Sequence, residues 1–233
     1  MATIQTEKGL NEKDIARLSR RKFLGYAGTA TALMAGLAAC TKTNDSGARV
    51  GSDGVDLGSD DVGILNYAYA LEQLEAAFYV KVIMSQYANM PANEVALITD
   101  IRDHEIAHRE FFKTALGPAA IPALEFDFSS INFGSRDSVL ATSKAFEDLG
   151  VSAYNGAGRL IKSADYLVLA GKIVSVEARH ASYIRDLIAK NSFADDSIID
   201  ANGLDLTNKP ADVLAVAQKY IVTKIDASHL PFY

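Results

Sequence analysis

The sequence predicts an all-α protein: a four-helix bundle with a long crossover between helices 2 and 3, followed by a short fifth helix. Apolar residues recur at helical spacing in four long segments between residues 61 and 190. The connections after the first and third segments are short, which predicts two antiparallel hairpins. The connection between the hairpins is long, so the second hairpin can cross the first. Alternation typical of strands is absent outside that connection.

The first hairpin is predicted from its capping and helix-breaking residues. Asp60 or Asp61 can cap a first helix that continues to about Asn89. A Met-Pro pair at 90–91 then interrupts the pattern, because proline lacks a backbone N–H and disfavours a helical residue before it. A second helix is predicted over residues 92–116, where a glycine and a proline end it.

The crossover and the second hairpin follow. Residues 117–135 contain prolines and phenylalanines without helical spacing, which predicts an irregular crossover. Helices are predicted over 138–161 and 165–190, and a shorter one over 208–222 with proline in its first turn. His229, in the tail that follows, has no partner at ligand spacing and is predicted to be a surface or packing residue.

The N-terminal 39 residues are predicted to be an export signal rather than part of the fold. The segment SRRKFL, with Arg20 and Arg21, resembles the twin-arginine export motif. An apolar run over 25–39 is shorter than the roughly 20 residues of a membrane span. It ends in LAAC, which resembles a bacterial lipobox, so Cys40 is the predicted lipidation site. The alternative is a short uncleaved membrane anchor with an incidental cysteine.

The predicted mature protein is a membrane-tethered lipoprotein that faces the periplasm or the cell exterior. Residues 40–60 are rich in Gly, Ser and Asp and are predicted to form a flexible linker. Residues 61–190 form the bundle, and 191–233 a C-terminal loop, short helix and tail. Residues 1–39 carry six basic and three acidic residues, so their removal changes the net charge from −6 to −9. This acidic balance argues against a nucleic-acid partner.

Two Glu-x-x-His pairs, each preceded by a lone glutamate, indicate a di-metal site. Residues three apart share one face of a helix, so each pair can direct a carboxylate and an imidazole to one point. Four carboxylates and two imidazoles are costly to bury together without cations. This set is typical of carboxylate-bridged metal sites in four-helix bundles. The predicted ligands are Glu72, Glu105, His108, Glu147, Glu177 and His180.

An internal repeat relates the two hairpins. A leucine, a glutamate and a tyrosine recur at intervals of seven in the first and third helices, as Leu65, Glu72, Tyr79 and as Leu140, Glu147, Tyr154. Matched positions of all four glutamates favour a metal site over scattered surface charges. Glu75 lies nearer the centre of the apolar arc of the first helix than Glu72 does. Glu75 is therefore an alternative ligand or a neighbour of the site, and Gly150 is its counterpart in the repeat.

On these residues the chain resembles the ferritin-like superfamily over about residues 61–190, and its ligand order is similar to that of bacterioferritin. The resemblance implies that Glu72 and His108 hold one metal and that Glu147 and His180 hold the other. Glu105 and Glu177 would bridge the two metals. Tyr79 and Tyr154 would lie near the site, at a position where the family often has a tyrosine.

The resemblance and the ligand chemistry together suggest the cofactor and the activity. Carboxylate and imidazole ligands suit two iron ions, with manganese or zinc as alternatives. Ferrous iron at such a site implies redox chemistry with oxygen or peroxide, of a ferroxidase or peroxidase type; the substrate could be ferrous iron, peroxide or an organic molecule. The export signal looks like that of exported, desiccation-related ferritin-like proteins. A homodimer is a further expectation.

Two other functions remain open on the sequence. The segment HEIAH, residues 104–108, fits the zinc-peptidase motif H-E-x-x-H, in which His104 and His108 bind zinc and Glu105 activates water. That motif leaves the second Glu-x-x-His pair unexplained. The other alternative is a non-catalytic, lipid-tethered helical envelope protein whose metal site is structural or vestigial.

Overall fold

The computed structural model describes residues 50–51 and 54–231, and it confirms the predicted four-helix bundle with a long crossover and a short fifth helix. The bundle helices are α1 (Asp60–Met84), α2 (Ala92–Leu116), α3 (Arg136–Gly158) and α4 (Ala164–Ile188), and the short helix is α5 (Pro210–Ala217). Helix α1 packs mainly on α2, and α3 mainly on α4, which are the two predicted hairpins. Helices α1 and α3 also pack on each other and join the hairpins into one core.

Helix α1 is buried on almost every side because the crossover covers its outer face. Two buried amides on α1 fix the crossover backbone. Asn66 donates to the carbonyl of Ala119 at 2.9 Å and accepts from the N–H of Ile121 at 3.0 Å. Gln73 accepts from the N–H of Leu124 at 2.9 Å. These bonds satisfy crossover backbone groups that would otherwise be buried without partners. A helix covered in this way is apolar all round rather than amphipathic.

A small three-stranded sheet joins the segment before α1 to the segment after α5, and it was not predicted from the sequence. Its strands are β1 (Val50–Gly51), β2 (Gly54–Asp56) and β3 (Ile225–Asp226). Strand β2 pairs antiparallel with β1 and parallel with β3. Val55 and Leu57 are 2% and 0% exposed, so this part of the predicted flexible linker belongs to the folded domain. Strand pairing with a segment far along the chain overrode the local Gly- and Ser-rich composition.

The predicted cap of α1 is wrong. Ser59 is the N-cap residue, and its side chain makes no capping hydrogen bond. The carboxylate of Asp61 instead accepts from the backbone N–H groups of Lys162 and Ser163, each at 2.8 Å. Asp61 therefore caps the connection into α4, where an anion also interacts favourably with the helix dipole.

Several helix ends also differ from prediction; among them, α3 ends at Gly158 rather than near Ile161. Helix α1 ends at Met84 rather than near Asn89, because the chain turns to bury Tyr87, whose hydroxyl donates to Glu94. Helix α3 spans Arg136–Gly158, two residues earlier at its start than predicted, and Ser135 caps it by accepting from Ser138. Helix α5 ends at Ala217, because the following residues pair with the crossover through a hydrogen bond from the Val222 N–H to the Glu125 carbonyl at 2.8 Å.

The segment before α5 lies directly against α3. A Cβ atom on Gly156 would stand 1.8 Å from the carbonyl oxygen of Asn208, so no larger residue fits there. The N–H of Asn208 also donates to the carbonyl of Ser152 at 3.0 Å. The Nδ1 atom of His229 lies 3.1 Å from Oδ2 of Asp56, and this contact joins the C-terminal tail to β2.

The predicted export motif at Arg20 and Arg21 and the predicted lipidation site at Cys40 lie outside the described residues. Within residues 54–231, no helix is both long enough and apolar enough to cross a membrane.

Candidate metal centre

All six predicted ligands meet in the core between the four bundle helices. Helices α1 and α3 each supply one glutamate, and α2 and α4 each supply a Glu-x-x-His pair. The four glutamate side chains are 0% exposed, and both histidines are largely buried. The ligand atoms form two groups in which all atoms lie within 4.8 Å of one another. The groups are Glu72, Glu105, His108 and Glu177, and Glu105, Glu147, Glu177 and His180.

The first group is centred on the Nδ1 atom of His108. This nitrogen lies 2.8 Å from Oε1 of Glu177, 3.4 Å from Oε2 of Glu72 and 3.8 Å from Oε2 of Glu105. The carboxylates come from three different helices, so only the folded bundle brings them together. One cation at this point would have one nitrogen and three carboxylates within reach.

The second group repeats this geometry with the helices exchanged. The Nδ1 atom of His180 lies 2.9 Å from Oε1 of Glu105, 3.5 Å from Oε2 of Glu147 and 3.6 Å from Oε2 of Glu177. Each histidine is closest to the glutamate of the opposite Glu-x-x-His pair. Glu105 and Glu177 each offer one oxygen to either histidine, so they connect the two groups.

The donor atoms fit metal ions better than they fit one another. Among the described residues, eight buried atoms of this cluster have no hydrogen-bond partner despite their closeness. They are Glu72 Oε2, both Oε atoms of Glu105 and of Glu177, Glu147 Oε2, and Nδ1 of His108 and His180. Buried polar atoms without partners are rare in proteins, and bound cations would satisfy these. The atoms that lack partners belong to the six residues of the two ligand groups.

The electrostatics of the cluster show the competition between protons and cations. Burial alone would lower the pKa of His108 and His180, but the surrounding carboxylates raise it far above the ordinary value. Burial and the charge of Glu177 raise the pKa of Glu105 to about 8. Burial would also raise the pKa of Glu177, but the two imidazoles lower it to about 2. Without cations, protons on the histidines neutralise part of the buried negative charge.

The two tyrosines of the repeat bind the lone glutamates reciprocally. The Tyr79 hydroxyl on α1 donates to Oε1 of Glu147 on α3 at 2.5 Å, and the Tyr154 hydroxyl on α3 donates to Oε1 of Glu72 on α1. Each tyrosine therefore orients the glutamate of the other hairpin, and the second oxygen of that glutamate points to a histidine. Both tyrosines lie beside the site, as the resemblance implied.

His104 has a part in the site that the sequence did not suggest. Its Nδ1 atom lies 2.9 Å from Nε2 of His180, and the two rings stack at 5.2 Å. Burial and the neighbouring imidazoles lower the pKa of His104, which favours the neutral form as the hydrogen-bond acceptor. His180 can then present Nδ1 to the cluster. The repeat has Val176 at the matching position of α4, so spacing alone gave no signal for this contact.

Glu75 belongs to neither of these two ligand groups. Its carboxylate faces α3, where its Oε1 atom would stand 3.1 Å from a Cβ atom on Gly150. Burial, followed by the charges of the neighbouring glutamates, raises the pKa of Glu75 well above its ordinary value. The geometry thus groups Glu72 with His108 and leaves Glu75 as a buried carboxyl group of raised pKa beside the site.

The zinc-peptidase interpretation finds no support in this geometry. It requires His104 and His108 to approach one ion, but His104 instead contacts the outer nitrogen of His180. Glu105 lies between the two histidines of the cluster rather than beside an open coordination position.

Comparison with known proteins agrees with the four-helix fold that carries this cluster. A family model described as a ferritin-like domain matches residues 60–190, which is more than half of the chain. No curated protein matches the chain.

Proposed function

The chain belongs to the ferritin-like domain family, and we propose that it holds two iron ions and oxidises ferrous iron with dioxygen or peroxide. The observation that supports this most directly is the pair of ligand groups that share Glu105 and Glu177. Two shared carboxylates suit a pair of cations rather than one. Carboxylates and imidazoles are ligands that suit iron and manganese, and zinc is a possible competitor.

Two ferrous ions in these groups would supply two electrons, so that 2 Fe²⁺ + O₂ + 2 H⁺ gives 2 Fe³⁺ + H₂O₂. The protein residues hold and insulate the ions. Glu72 with His108, and Glu147 with His180, would each hold one ion. Tyr79 and Tyr154 fix the lone glutamates by hydrogen bonds, and the apolar core excludes water. Fixed ligands lower the reorganisation that accompanies a change in metal charge.

We place this activity outside the cytoplasm. Arg20 and Arg21 within SRRKFL, and Cys40 after an apolar run, support twin-arginine export and a lipid anchor. An Arg21→Lys variant should accumulate in the cytoplasm, and a Cys40→Ser variant should reach the envelope but separate from membranes on fractionation. An unchanged distribution in both variants would contradict this location.

The function can be tested by metal content and oxidation together. We expect anaerobic loading with Fe(II) to give two irons per chain, and oxygen or peroxide to produce a rapid absorbance change. Glu105→Ala or Glu177→Ala should abolish both results because each removes a ligand from both groups. Glu75→Gln is the matched control: it changes a buried glutamate of α1 that lies in neither group, and it should retain two irons.

The alternatives predict different results. Two bound ions that react with neither oxidant would favour the non-catalytic envelope protein. A single tightly held zinc that Glu147→Ala leaves in place would contradict a paired site.

A further inference from the structure

A cavity of about 20 Å³ lies in the core beside the Glu72–His108 half of the site. Three of its lining residues connect it to the ligands. Ala68 lies one helical turn before Glu72, and Phe112 lies one turn after His108. The third, Tyr154, donates its hydroxyl to Glu72. A molecule in the cavity would therefore be separated from this ligand pair by about one layer of side chains.

The cavity exists because α3 has small residues where the repeat has large ones. Ala153 and Ala157 of α3 line the cavity, and their counterparts on α1 in the repeat are Phe78 and Val82. Leu71 of α1 also lines it, and its counterpart on α3 is Phe146. Phe78 and Phe146 are fully buried and pack edge to face at 5.0 Å, filling the matching space beside the Glu147–His180 half. The ligands of the two halves are alike, but their surroundings differ at these positions. The space thus reflects particular side chains rather than a general property of the bundle.

The chemistry of the walls favours an apolar occupant. The lining is aliphatic or aromatic apart from two tyrosine hydroxyls, and that of Tyr154 is already bonded to Glu72. The Tyr67 hydroxyl is buried and has no hydrogen-bond partner among the described residues. One free donor is too few for an ordered water, which typically makes two to four hydrogen bonds. Peroxide, which also needs several hydrogen bonds, fits this lining poorly for the same reason.

We propose that this cavity binds dioxygen and positions it for the Glu72–His108 half of the site. The volume exceeds the roughly 10–15 Å³ that one water-sized molecule requires, so a diatomic molecule such as dioxygen fits and larger organic substrates do not. Three half-buried lining residues, Gly158, Ile161 and Ala170, form the outer side of the cavity between α3 and α4 and provide an approach from solvent. The role of the bound gas rests on the proposed function, whereas its binding does not.

Binding can be measured on the metal-free full-length chain with dioxygen itself as the probe. Dissolved dioxygen is paramagnetic and broadens the NMR signals of nearby nuclei. We expect strong broadening of the Ala153 and Ala157 methyl signals under oxygen pressure, and little at Ala76, which is equally buried but outside the cavity. Equal broadening of all three methyl signals, or none at the cavity, would overturn the proposal.

Two variants then separate binding from reaction. Ala157→Val copies Val82, its counterpart in the repeat, and fills the cavity. It should remove the broadening at Ala153 and slow the oxidation of anaerobically loaded Fe(II) by dioxygen several-fold, while leaving oxidation by peroxide unchanged. Ala76→Val copies Val151 in the same way and adds the same volume outside the cavity. It should change neither rate.

Equal slowing by both oxidants in Ala157→Val would overturn the delivery role, since it would indicate damage to the ligands. If Ala157→Val does not fold, the broadening in the unaltered chain still decides whether dioxygen binds. Strong broadening at the cavity with iron that is inert to dioxygen would confirm binding and refute the proposed function instead.

Discussion

Loading of the metal centre should release protons from the buried groups that would bind the ions. In the metal-free cluster, the carboxylates raise the pKa of His108 and His180 against the effect of burial, so both imidazoles are cationic near neutral pH. A metal ion can bind Nδ1 only when that atom carries no proton. Binding of two ions therefore displaces two protons from the histidines. Metal affinity should rise as the pH rises, because fewer protons then compete.

Glu105 should release most of a third proton when the metal ions bind. Its pKa of about 8 leaves about nine-tenths of the carboxyl protonated at pH 7, and a shared ligand must be ionised. The total is about three protons for two divalent ions. Each displaced proton changes an equilibrium about tenfold per pH unit, so the product of the two binding constants should rise about a thousandfold between pH 6.5 and 7.5.

The assay is a titration of the metal-free chain with zinc, which avoids redox chemistry, in weak buffer with a pH indicator. Calorimetry in two buffers of different ionisation enthalpy gives an independent proton count. Glu105→Gln keeps an oxygen at this position but cannot bind a proton there, so it should release about one proton fewer for each pair of zinc ions that it binds. Glu75→Gln should leave the count unchanged, because burial is the first cause of its raised pKa and persists after loading. Release of less than one proton, or an equal count in Glu105→Gln, would refute the reasoning.

Three further predictions concern the residues around the ligands. Tyr79→Phe or Tyr154→Phe removes a hydrogen bond to a buried carboxylate, so each should lower the free energy of unfolding by about 1.5–3 kcal/mol in urea titrations of the metal-free chain. His104→Ala should retain both ions but weaken the one beside His180 by about 10- to 100-fold in competition with a chelator; loss of both ions would contradict this role. An alanine in place of a helical glycine normally stabilises a helix by about 1 kcal/mol, but Gly150→Ala should not, because its Cβ meets the Glu75 carboxylate. Adding Glu75→Ala to this variant should restore the stabilisation, as measured by thermal unfolding.

The candidate ligand cluster was predictable because its main signal is local. Glu105 with His108, and Glu177 with His180, share a helix face by their spacing alone. The bundle followed from the apolar period and the lengths of the connections. The reciprocal partners of Tyr79 and Tyr154 did not follow, although both tyrosines were expected near the site. Each hydroxyl crosses from one hairpin to the other, and that contact depends on how α1 and α3 pack rather than on either sequence segment.

The wrong predictions have the same origin. Asp61 has the composition of a cap for its own helix, yet its carboxylate serves a segment about 100 residues further along the chain. Val55 lies in a stretch whose composition is typical of linkers, and it is buried through pairing with Ile225. In both cases a contact distant in sequence decided the structure, and local propensity is too weak to predict such contacts.

The internal repeat also hid a structural difference, because it made the two halves of the site look equivalent. The ligands do obey the repeat, but their neighbours do not: His104 supports His180 where the other half has Val176, and Ala153 leaves space where the other half has Phe78. The Glu72–His108 half has the cavity but no supporting histidine. The Glu147–His180 half has His104 as support, and Phe78 and Phe146 fill the corresponding space. We therefore expect the ion beside His180 to be held more tightly, because His104 supports that ligand. We expect the ion beside His108 to react first with dioxygen, because the cavity lies next to it.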